Sequence, residues 1–173
     1  MLTLFNIFPQ MASGFPFALL LCLSIGLLAP SCYGQTSNPE LLQSPCPPGW
    51  TQFGSRCFSF YLQGKTWIDA EHFCKAADGN LASVHSEEEH EFLRTFIHQV
   101  SGENRRTWIG GFDSVQPGVW MWSDGSPFDY KSWAPGEPNN GGGTEHCLEI
   151  NYKDKWNDNE CNKIFPFVCS KDL

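Results

Sequence analysis

Charge is missing from the start of this chain. No charged side chain occurs before Glu40. Basic residues are scarce throughout, with 11 Lys and Arg against 19 Asp and Glu and a net charge of -8. That sign works against phosphate binding and so against nucleic acid as a partner. No Asn-x-Ser/Thr glycosylation pattern, His-Glu-x-x-His zinc motif or Gly-x-Ser-x-Gly nucleophile motif occurs. Neither Ser59 nor Ser86 has a nucleophile context, and no catalytic constellation is found, so an enzyme is not expected. Internal repeats, collagen triplets, heptads and low-complexity tracts are also absent. The longest apolar run, over residues 17–28, is short for a membrane span.

What is present points outside the cell. Eight Cys among 173 residues are too many for a typical cytosolic protein and suggest an oxidising compartment. Aromatics make up 14%, with seven Trp, which excludes disorder for most of the chain. The apolar run between Pro16 and Pro30 reads as the core of a signal peptide over residues 1–34, with Met11 a second candidate start. An uncleaved anchor would carry basic flanking residues, and none exist. Cleavage after Gly34 would remove Cys22 and Cys32 and leave an even count of six. Cleavage after Ser31 would retain Cys32 as an odd thiol able to bridge two chains. The even count is favoured. Residues 35–45 form a short polar linker, and residues 46–173 read as one disulfide-stapled domain, with no membrane span in the mature form.

Two helices are legible within it. Thr66 caps the first, with Asp69 in the capping-box position, Ala70, Phe73, Cys74 and Ala77 on one face, and Gly79 as the stop. Ser86 caps the second. Glu87, Glu88 and Glu89 complement its positive end, Phe92, Leu93, Phe96, Ile97 and Val100 form its buried stripe, and Gly102 ends it. The period then changes to two. Residues 107–112, 119–122, 147–151 and 165–169 read as strands. Residues 123–146, rich in Gly, Pro, Asn and Asp, form a loop long enough to be functional.

Cys46-Pro-Pro-Gly-Trp50, Trp108-Ile-Gly-Gly, Glu137-Pro-Asn139 and Trp156-Asn-Asp158 occur in that order among six Cys. The chain here resembles the C-type lectin-like domain family over residues 46–171, and its short form is similar to small fish lectins and their antifreeze and venom relatives. The resemblance implies an α+β fold of two helices, antiparallel sheets and a long calcium-binding loop. Six Cys admit more pairings than a sequence can choose among. The resemblance implies Cys46–Cys57, Cys74–Cys169 and Cys147–Cys161, and a cis bond before Pro138.

Glu137, Asn139, Glu145, Asn157 and Asp158 offer hard oxygen donors of the kind that calcium takes about six to eight of. In isolation such a stretch reads as turn residues. The resemblance reverses that reading, because all five fall at the family's calcium positions. It implies that the same five residues bind carbohydrate, with two vicinal sugar hydroxyls completing the ion's coordination. The Glu-Pro-Asn order accompanies mannose-type ligands with equatorial hydroxyls (mannose, fucose, N-acetylglucosamine). The reverse order accompanies galactose. A small, wet contact binds weakly, so useful avidity needs several sites on one assembly, such as a homo-oligomer. The expected role is innate recognition of glycans.

A second calcium position keeps Asp113 but carries Pro117, Asn140 and His146 in place of carboxylates, so it is expected to be lost or weak. His72 and His98 are expected on helix surfaces, and His85 and His90 lack zinc spacing. Trp108, Trp120, Trp122 and Trp156 are expected to pack in the core. The rival readings are an ice-binding protein and a venom-like protein-binding subunit.

Overall fold

The computed structural model describes residues 45–173. The leader, residues 35–44 of the linker, Cys22, Cys32 and both candidate cleavage sites lie outside the described residues. Among the described residues no helix is long and apolar enough to cross a membrane.

The chain runs through β1 (Thr51–Phe53), β2 (Arg56–Lys65), α1 (Trp67–Ala76), β3 (Asn80–Leu81), α2 (Glu87–Ser101), β4 (Thr107–Phe112), β5 (Met121–Trp122), β6 (Glu145–Tyr152), β7 (Lys155–Glu160) and β8 (Phe165–Asp172). The sheet order is β1-β2-β8-β4-β6-β7, with β3 beside β8 and β5 beside β4. All pairs are antiparallel except β4 with β8. Two helices with this sheet make the α+β fold expected, and the three expected disulfides are all formed.

The caps form as the sequence dictates. The Asp69 N–H donates to Thr66 Oγ1 at 3.2 Å and the Glu89 N–H to Ser86 Oγ at 3.2 Å. Gly102 closes α2 in the left-handed region at φ 82°, where glycine bears no Cβ penalty. The acidic first turn of α2 is spent on protein partners. Glu89 accepts from the Arg56 guanidinium at 3.1 Å and from the His85 N–H at 2.7 Å, and Glu87 accepts from the Tyr130 hydroxyl.

Several faces differ from expectation. Helix α1 buries Trp67, Ala70, Glu71 and Cys74, whereas Phe73 is exposed and packs edge-on against Tyr61 and Phe167 at 4.6 and 5.3 Å. Its cap is Ala77, two residues before Gly79. Gly79 is instead required where a Cβ would lie 2.5 Å from the Ser170 carbonyl oxygen. In α2, Val100 is 56% exposed, while His90 takes a buried place beside Leu93 and Ile97. The strand read at 119–122 shrinks to Met121–Trp122. Strands β2 and β7 were not expected as such. Lys155-Trp-Asn-Asp-Asn-Glu160 has turn composition, but β6 recruits it as an edge strand.

Two apolar clusters fill the domain. One holds Phe58, Leu93, Ile97, Ile109, Trp122 and Trp156. The other holds Trp67, Cys74, Leu81, Trp108 and Phe167. Trp108, Trp122 and Trp156 are buried, as expected, and Trp120 packs at the margin.

Candidate functional site

The long loop is pinned to β7 before it reaches the candidate ligands. The Trp156 N–H donates to the Ser132 carbonyl and the Ala134 N–H to the Trp156 carbonyl, each at 2.8 Å. The Trp133 ring stands edge-on to Trp156 at 5.7 Å. From Ala134 the chain turns into the Glu137–Pro138 bond, which is cis.

Trp156 is fixed from below by His90. The indole N–H donates to His90 Nδ1 at 3.1 Å, and His90 Nε2–H donates to the Asp154 carbonyl at 3.3 Å. Both bonds suit a neutral imidazole. Burial holds the His90 pKa below its ordinary value, and nearby Lys155 adds to the effect. With the folded pKa depressed, the unfolded chain takes up a proton first as pH falls. The stabilisation is complete above the unfolded value of about 6.5 and is lost as pH drops through the folded one. Urea unfolding between pH 7.5 and 5 should show this loss, and His90→Gln should flatten it. Equal pH slopes for the two proteins would contradict the assignment.

Four of the five candidate ligands come together. The Asp158 carboxylate, 1% exposed, accepts the Asn139 N–H at 3.1 Å and the Asn140 N–H at 2.6 Å, which ties the loop to β7. Glu145 accepts the Gly141 N–H at 2.7 Å, and its own N–H donates to Asn140 Oδ1 at 3.2 Å. A Cβ on Gly141 would lie 2.7 Å from Glu145 Oε2 and 3.2 Å from Asn139 Oδ1, so this glycine lets the two oxygens approach. Glu137 completes the group. Its Oε2 is buried with no hydrogen-bond partner. Burial, then the negative charge of Asp158 and a hydrogen bond with its carboxyl, then the charge of Glu145, push the Glu137 carboxyl above the ordinary carboxylate range.

The Asn157 amide nitrogen is held by protein partners. It donates to Glu149 Oε1 at 2.8 Å and to the Asp158 carbonyl at 2.6 Å. Glu149 is fully buried, pairs with the Arg106 guanidinium and also accepts from Asn159 at 3.2 Å. Sequence reasoning missed this carboxylate. The available signal was an acidic residue inside a strand otherwise apolar at Leu148 and Ile150.

Among the described residues no three or more His, Cys, Asp or Glu side chains are placed so that they could hold a metal ion by themselves. Two of the five candidate donors are amides and fall outside such a grouping. The set still suits a hard cation. Three carboxylates gather and one buried oxygen lacks a partner, which costs free energy unless positive charge arrives. The residues of the second calcium position have protein partners. Asp113 pairs with His146 Nδ1 at 2.8 Å and accepts the Gly118 N–H at 2.7 Å.

A second polar cluster escaped sequence reasoning. His85 Nδ1 lies 2.9 Å from Asp129, and its Nε2 lies 3.1 Å from both Ser83 Oγ and Ser126 Oγ. Both hydroxyls donate to Asp124, Ser126 at 2.5 Å, so neither offers its proton to the imidazole as an activated nucleophile must.

The family model "Lectin C-type domain" matches residues 63–171. The "Galactose-specific lectin nattectin" of Thalassophryne nattereri is 50% identical over 131 residues, covering 75% of this chain and 82% of that protein. "Ladderlectin" of Oncorhynchus mykiss is 50% identical over 126 residues, covering 72% of this chain and 66% of that protein. The solved structure of herring type II antifreeze protein is similar with a TM-score of 0.69 and 35% identity, covering 74% of this chain and 99% of that one.

Proposed function

We propose, from the premise that the chain belongs to the C-type lectin domain family, that it is a secreted calcium-dependent lectin of mannose-type specificity. The observation that carries the reading is the unpartnered Glu137 Oε2, buried beside the charges of Asp158 and Glu145. Glu137, Asn139, Glu145, Asn157 and Asp158 would hold the calcium. When bound, the ion supplies open coordination positions to two vicinal sugar hydroxyls.

The side chains supply the discrimination. Glu137 and Glu145 accept hydroxyl protons, while Asn139 and Asn157 donate amide hydrogens to the hydroxyl oxygens. Charge-assisted bonds of this kind are short and directional. A sugar with a misplaced hydroxyl leaves a partner unsatisfied. Asn157 must first turn its amide away from Glu149 and the Asp158 carbonyl. The protein's role is recognition of glycans in innate defence, with avidity supplied by a homo-oligomer.

Galactose is the second reading, favoured by the half-identical relative whose name states that specificity. The order of acid and amide about Pro138 separates the two. Glu137→Gln with Asn139→Asp should move preference from mannose toward galactose by about tenfold or more, since each mispaired polar group costs about 1–3 kcal/mol. Competition on mannan-agarose and lactose-agarose reads the shift. A native protein that already prefers galactose would replace the mannose reading. Thermal hysteresis in freezing solution without sugar retention would favour the ice-binding reading, in line with the antifreeze name of the herring structure.

A further inference from the structure

Glu149 sits where a carboxylate is costly. It is fully buried in β6 between Leu148 and Ile150, opposite Asn157 of β7. A buried charge costs free energy unless it is paired and hydrogen-bonded. Arg106 meets it as a fork, with Nε donating to Oε2 at 2.9 Å and Nη2 donating to Oε1. The guanidinium is itself seated over the Tyr152 and Phe165 rings, 5.2 and 5.1 Å from their centroids. A planar fork fixed on aromatic faces holds the carboxylate in one orientation, which a point charge would not.

The same Oε1 accepts from the Asn157 amide at 2.8 Å and from the Asn159 amide at 3.2 Å. An ionised carboxylate only accepts, so it can face the NH2 of an amide but not its oxygen. An Asn amide can be seated either way round, and the charge of Glu149 selects one of them. The Asn157 nitrogen also donates to the Asp158 carbonyl at 2.6 Å. With both hydrogens placed, Oδ1 is the atom that Asn157 has left to give.

We propose that Glu149, held by Arg106, is a positioning residue of the candidate site: it turns Asn157 Oδ1 toward the ion and competes with the sugar for the Asn157 NH2. The inference rests on the lectin reading and deepens it, because it gives one buried residue opposite effects on the two ligands. Without Glu149 the Asn157 amide rotates freely, and fixing it costs part of the calcium affinity. Once calcium is bound, the same loss frees an NH2 hydrogen for a sugar hydroxyl. A residue that only supported the fold would weaken both ligands together.

Calorimetry on the full chain reads the two effects, first with calcium alone and then with methyl mannoside and galactose at saturating calcium. Glu149→Gln should weaken calcium binding by about tenfold and strengthen the preferred sugar by about threefold. Glu149→Asp keeps the charge but withdraws it from Asn157, so it should move both affinities the same way. Arg106→Lys keeps the charge of the partner but loses the fork; it should fall between native and Glu149→Gln, and it decides the matter if the buried variants do not fold. In calcium-free protein, NMR should show the Asn157 side-chain amide hydrogens exchanging with water faster in each variant than in the native chain. Native-like calcium affinity in folded Glu149→Asp or Arg106→Lys, or calcium and sugar weakened together, would overturn the role of Glu149 while sparing the lectin reading. Native protein that binds neither calcium nor sugar would instead overturn the lectin reading, and this role with it.

Discussion

Asp158→Asn should abolish calcium-dependent retention on mannan-agarose and lactose-agarose while leaving the fold in place. The Asp158 carboxylate is buried and makes two distinct contributions. It draws the loop onto β7 through the Asn139 and Asn140 N–H groups, and it supplies one of the three negative charges gathered there. An amide in its place must set an NH2 against one of two backbone N–H donors. Hydrogen bonds to charged groups are worth about 1.5–3 kcal/mol each, so the loop should loosen by on the order of tenfold or more. Amide hydrogen exchange should therefore accelerate at Asn139, Asn140 and Gly141 and stay unchanged across β2 and β8. Undiminished, EDTA-sensitive retention by the variant would show that the site is held together in another way.

The second large effect concerns stability. The Cys74–Cys169 bridge joins α1 to β8 across 95 positions, and both residues are fully buried. By the loop-entropy model a closure of this length contributes about 4–5 kcal/mol. Cys147–Cys161 spans only 14 positions and contributes about 3 kcal/mol on the same model. Replacing the first pair by Ala should also leave small voids in a packed cluster. The Cys74→Ala/Cys169→Ala protein should unfold at a far lower denaturant concentration than the Cys147→Ala/Cys161→Ala protein. The second variant should lose sugar binding disproportionately, because its bridge lies at the base of β6 and β7. Equal stability losses would mean that chain entropy is not what the long bridge controls.

The helix ends were legible because their signals are local. Thr66, Ser86 and Gly102 each act within one turn through a side-chain oxygen or a permitted φ. The buried faces were less so. Phe73 and Val100 continue the apolar period of their helices, but the sheet covers only part of each stripe. Strand β7 was hidden by its own chemistry. Asn157, Asp158 and Asn159 favour turns, and they become a strand only through registration with Glu149 and Leu148. The candidate ligands were readable as residue types, and the resemblance assigned them a metal. The claim of Glu149 on Asn157 could not be read, since it exists only once β6 and β7 are aligned. The support of Trp156 by His90 was hidden for the same reason, because it spans 66 positions.

Titration of calcium into folded, chelator-stripped protein, followed by calorimetry, tests the central claim most directly. The account predicts saturable heat from one class of site, lost when Glu137 and Asp158 are replaced by Gln and Asn. Absence of heat from native protein whose disulfides and circular dichroism are intact would contradict it.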